Sequence, residues 1–117
     1  MQRTIPAGTR LRIGEPAVEP DEVLAQVRYA LGDVPAVLAA RRAWVQVGDS
    51  APSLALGLSL TADASPAQVL PAVRDALDDI LRRSRPGFAV DLVVLDGSTD
   101  PIASWMDSNA APFYTAA

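Results

Sequence analysis

The sequence predicts an α+β domain, a β-α-β-β-α-β ferredoxin-like sandwich followed by a short C-terminal helix. Three observations point there. Apolar residues recur at helical spacing in two stretches, Val23-Leu24-Val27-Leu31 and Val69-Val73-Leu77-Ile80-Leu81. Other stretches alternate or run in β-branched residues between Gly, Pro and Asp breaks. Their order sets two β-α-β halves around one hairpin, and the right-handed crossover rule then places both long helices on one face of the sheet. At 117 residues the chain has the size of one domain, expected over 1–117.

Residues 1–8 lead in. TRLRIG, 9–14, alternates, with Leu11 and Ile13 facing one way and Arg10 and Arg12 the other. The prolines of GEPAVEP end that strand. Pro20 suits the first position of a helix, with Asp21 and Glu22 at its positive end. Gly32 and Pro35 mark its stop. AVLAARRAWVQVG, 36–48, is a long strand whose alternation slips near Arg41-Arg42, and a bulge at the two arginines reconciles its halves. DSAP, 49–52, is a turn. In SLALGLSLTA, Leu54, Leu56, Leu58 and Leu60 face one side, while Ala55, Gly57, Ser59 and Thr61 face the other.

Ser65-Pro66-Ala67-Gln68 reads as a capping box that opens the second long helix. Pro71 sits deep enough in it to kink it. Arg82 and Arg83 complement its negative end. AVDLVVL, 89–95, is the last strand. Asp100 then caps a short helix that begins at Pro101 and carries Ile102, Trp105 and Met106. Pro112-Phe113-Tyr114 closes the tail.

Composition removes several chemistries. There is no Cys and no His, so thiolate sites, disulfides within the chain and the commonest general base are absent. All ten cations are Arg, which excludes Schiff-base lysines and Ser-Lys dyads. A net charge of -4 argues against nucleic acid and anionic membrane as partners. No apolar run reaches the length of a membrane span, and the first residues lack the long apolar stretch of a signal peptide. A cytoplasmic location is expected.

The candidate motifs resolve the same way. Asp96-Gly97-Ser98-Thr99-Asp100 follows a strand, as the Asp-x-Asp-Gly-Thr of haloacid-dehalogenase phosphatases does. Val94, however, stands where the nucleophilic Asp is needed. A turn and a helix cap account for every residue of that loop. Gly48-Asp49-Ser50 matches the start of a GDS hydrolase motif that needs a histidine, so the hairpin turn is the better reading. Asp75, Asp78 and Asp79 read as a solvated helix face rather than a hard-cation site. Arg10, Arg12, Arg41 and Arg42 lack a glycine-rich cradle for phosphate, and rim positions or pairing with Asp91 are the alternatives. RNA-recognition modules share this element order but need strand aromatics, and this chain has only two each of Trp, Tyr and Phe.

The small face at Ala55, Gly57 and Ser59 implies a close approach, either by the short helix carrying Trp105 or by a second subunit. The expected function is therefore a non-catalytic protein-interaction or regulatory domain, without catalytic residues, cofactor or metal, that self-associates as a homodimer. Its candidate contact residues are Trp44, Ala55, Gly57, Ser59, Trp105, Phe113 and Tyr114. The alternative is a small-molecule sensor of the ACT type, which shares the β-α-β-β-α-β order. Against it, Glu19-Pro20 stands where such modules place a Gly.

The framework resembles the C-terminal domain of the SseB family, the enhanced serine sensitivity proteins. The resemblance rests on PAGTRLRIGEPAVEPDEVLAQVRYAL, PAVLAARRAW, PSLALGLSL, PGFAVDLVVLDGSTDPIASWM and APFY, and spans roughly residues 6 to 114. It implies a link to serine sensitivity and sulfurtransferase physiology, with no established catalytic residue. It also implies an N-terminal domain in larger members, a region with no counterpart expected here.

Overall fold

A computed structural model describes residues 11–15, 19–84, 87–95 and 100–116. In chain order the elements are β1 (Leu11–Gly14), α1 (Asp21–Leu31), β2 (Val37–Val47), β3 (Ser53–Leu60), α2 (Pro66–Ser84), β4 (Ala89–Val94), α3 (Pro101–Asn109) and β5 (Tyr114–Thr115). The α+β class and the order of strands and long helices follow the sequence reading.

Within the sheet the strands lie β1-β2-β3-β4, and β5 also pairs with β2. β1, β3 and β5 run antiparallel to β2, whereas β4 runs parallel to β3. A split β-α-β unit of the ferredoxin-like kind would hold another strand between β3 and β4. Here α2 crosses directly from β3 to its neighbour, so the unit is closed. β1 takes Trp44–Val47 of β2, and β5 takes Ala39 and Ala40 along the same edge.

Both long helices cover one face. Val23, Leu24, Val27 and Leu31 of α1 and Val69, Val73, Leu77 and Ile80 of α2 pack on Leu54, Leu56 and Leu58. Those three leucines are fully buried, and removing each from water stabilises the fold by roughly 1.5–3 kcal/mol. The opposite face carries a smaller core of Ala43, Val45, Ala55, Ile102, Met106 and Ala110, built by α3.

Three local expectations are refined. Pro20 is the N-cap residue of α1 rather than its first helical residue. α2 is one continuous helix through Pro71, which faces solvent. The irregularity in β2 lies between Val37 and Ala39, not at the arginines. Leu38, at the slip, is 47% exposed. Alternation continues through Arg41 and Arg42 because each finds a carboxylate on its own side of the sheet.

Candidate functional site

Several residues that look chemical in the sequence make structural contacts. Asp100 caps α3: its Oδ1 accepts from the N–H of Ile102 at 2.9 Å and of Ala103 at 3.0 Å. Pro101 follows at the first helical position. The carboxylate thus occupies donors that the helix start leaves free. Residues 96–99, the rest of that motif, lie outside the described residues. Gly48 turns the β2–β3 hairpin with φ 56°, and Ser50 N–H donates to Val47 O at 3.0 Å. Asp75, Asp78 and Asp79 are exposed on α2, and Asp79 pairs with Arg83 one turn on, at 2.9 Å. Among the described residues no group of three acids is gathered closely enough to hold a metal ion.

The two adjacent arginines straddle the sheet. Arg42 points to the helix face and grips both oxygens of Glu19 at 2.6 Å. This bidentate bond, more than the attraction of charge, holds the Glu19 carboxyl below its ordinary range against the opposing cost of burial. The same bond raises Arg42. Arg41 points to the other face and donates to Asp107 of α3 at 3.1 Å, while its Nε is buried without a partner among the described residues. Arg12 is exposed on β1, and Arg10 lies outside the described residues. Asp91 bonds Ser53 Oγ at 3.0 Å. The arginines thus act as separate straps, one of them fixing the start of α1 and another α3.

The seven expected contact residues fall on two faces. Ala55 and Gly57 are buried beneath α3. A Cβ at Gly57 would lie 2.9 Å from Met106 Sδ and 3.0 Å from Leu95 Cδ1. Of the two occupants expected for the small face, α3 is the one present. Ser59 is half-buried in line with them, opposite Ala39, and Trp105 packs at the rim of the same small core. Trp44 lies on the helix face, edge-on to Phe88 with ring centres 5.3 Å apart. Phe113 and Tyr114 pack on the larger core. There the tail ties down the end of α1: Arg28 Nε donates to Phe113 O at 2.9 Å, and the Tyr114 hydroxyl donates to Leu31 O at 3.3 Å.

One feature passed over in the sequence is open. Between α1 and α2 runs a groove of about 480 Å³ lined by Glu22, Ala25, Gln26, Tyr29, Ile80 and Arg83. Ile80 is 7% exposed, whereas Tyr29 is 84% exposed. The signal was there: Tyr29 sits two residues after Val27 and two before Leu31, off the buried stripe of α1. An apolar floor, an aromatic ring in water and charges of both signs can receive a side chain of another protein.

Fold and site define a small α+β domain with one mixed sheet, two long helices on one face and a short helix on the other. The chain belongs to the SseB family: the model of the SseB protein C-terminal domain matches residues 5–116. No curated protein matches it. No helix among the described residues is long and apolar enough to cross a membrane.

Proposed function

We propose that this domain acts in the cytoplasm by protein contact, as a non-catalytic interaction or regulatory module, and that the α1/α2 groove at Tyr29 is its contact surface. The observation that carries the reading is the 84% exposure of Tyr29 above the apolar floor at Ile80. Tyrosine is among the residues that anchor protein interfaces, because it brings large area at small entropic cost. Glu22 and Arg83 supply a polar rim that orients a partner. The acids and arginines already spent on Asp100–helix, Glu19–Arg42 and Asp107–Arg41 contacts also support it.

A thermal-shift screen tests the reading against chemistry and against small-molecule sensing. The full chain is melted with each amino acid, with magnesium, calcium and manganese, and with phosphate. A ligand present at 100 times its dissociation constant adds about 2.7 kcal/mol, worth roughly 10 °C for a domain of this size. A flat series is expected. A reproducible rise with any one compound would favour a sensor or an enzyme instead.

A further inference from the structure

β4 ends the path β1-β2-β3-β4, so among the described residues its outer edge pairs with no strand. The outward-facing groups follow from one bond. Leu95 donates its N–H to Leu58 O at 2.8 Å, so alternation turns the polar groups of Asp91 and Val93 towards β3 as well. Those of Val90, Leu92 and Val94 then face outward. Natural edges are blunted by charge, proline, bulges or shortness. β1, at the opposite side, is four residues long and turns Arg12 to solvent. β4 has six residues, AVDLVV, in regular register with β3, and contains no Pro, Lys or Arg. Its acid, Asp91, is half-buried and bonded to Ser53. One cover does reach the edge: Arg74 of α2 donates from Nη1 to the outward carbonyl of Val90 at 3.2 Å.

We propose that the outer edge of β4 is an interaction surface for a second copy of this chain, and that Arg74 is the latch that competes for it. The strand is self-complementary. Set antiparallel to itself about Leu92, it places Leu92 opposite Leu92 and Val90 opposite Val94 on both sides of the axis. All of these residues face outward and exchange paired bonds. Asp91 then stands opposite Val93, and no like charges meet. Centring on Asp91 would set two carboxylates face to face, which is unfavourable. Centring on Val93 leaves Val90 without an opposite within the strand. When Arg74 swings away, its side chain can reach Asp78 one turn on along α2. This surface is separate from the Tyr29 groove and does not depend on it.

The test is the association constant of the full chain by sedimentation equilibrium. Arg74→Ala frees one carbonyl in each copy. Each bond is worth about 5-fold, so the dimer should tighten by roughly 25-fold relative to the natural chain. Adding Val94→Pro removes an outward N–H without touching the bonds to β3 and should reverse the gain. Hydrogen exchange gives a second readout that needs no folded proline variant. The amides of Leu92 and Val94 should slow with concentration, while those of Asp91 and Val93 stay protected throughout. Tyr29→Ala should leave association unchanged. The proposal is overturned if Arg74→Ala associates no more tightly than the natural chain, if the Leu92 and Val94 amides ignore concentration, or if Tyr29→Ala alone dissolves the dimer.

Discussion

Gly57 is the position where the sheet and α3 come closest, and replacing it measures how much of the fold depends on that contact. A methyl group there meets Met106 Sδ at 2.9 Å and Leu95 Cδ1 and Cδ2 at 3.0 Å. Both neighbours are far ends of flexible side chains, so each yields a few tenths of an ångström. Overpacking of this kind costs about 1–3 kcal/mol. Exchanging glycine for alanine within a strand returns roughly 0.5–1 kcal/mol of chain entropy. Gly57→Ala should therefore lose between about 0 and 2.5 kcal/mol. Gly57→Leu has no such escape, because its branched end must enter the space of Met106, which is fully buried. α3 then lifts, exposing Met106 and Ile102, each worth roughly 1.5–3 kcal/mol. The expected loss is about 3–6 kcal/mol, a large share of a domain's total stability.

Denaturant titration followed by the emission of Trp105, in a Trp44→Phe background, reads both the stability and the environment of α3. Combining Gly57→Ala with Met106→Ala should cost less than the sum of the two changes, since the second makes room for the first. Gly57→Leu melting within 0.5 kcal/mol of the parent, with unchanged Trp105 emission, would refute the packing argument. A bulky residue here is thus expected to loosen a helix rather than to disrupt a dimer through the small face.

Substitutions at two further positions test the other structural roles. Glu19 has its folded pKa depressed below the ordinary 4.5 by the Arg42 hydrogen bond. Its contribution is therefore fully present above the unfolded value and is lost as pH falls through the folded one. With the Glu19 side chain 36% exposed, solvent screening limits that contribution to about 1 kcal/mol. Melts of Glu19→Gln and the parent should differ at pH 7 and converge as the pH falls through the depressed range in which folded Glu19 takes up its proton. Asp100→Ala should cost about 1 kcal/mol and Asp100→Asn much less, because asparagine also caps. Equal losses by the two in urea titrations would contradict the cap.

Much of the architecture can be read in the chain because its elements are locally consistent. The leucines of β3 alternate without a break, and all three central ones are buried on the helix face. Asp100-Pro101 is a helix start by local chemistry alone, and it forms one. What the sequence hides depends on distant partners. Arg42 looks like a fault in the alternation of β2 because its counter-charge, Glu19, lies 23 residues earlier. The sequence therefore places the bulge at Arg41-Arg42, three to four residues beyond the slip at Leu38. The direct β3–β4 pairing is a choice among sheet orders that share one element order, and no local residue marks it. β5 has only two residues, too few for a periodic pattern. Arg74 reaches the β4 edge through the crossover of α2, a contact visible only after the unit has closed.

Site-specific photo-crosslinking in the native cell tests contact through the groove most directly. A photoreactive residue replaces Tyr29 in one variant and Asp75, exposed on α2, in another. Irradiation should yield one discrete protein adduct from position 29 that position 75 does not give, and Arg83→Glu should diminish it. Identical background labelling at the two positions would contradict a contact surface at the groove.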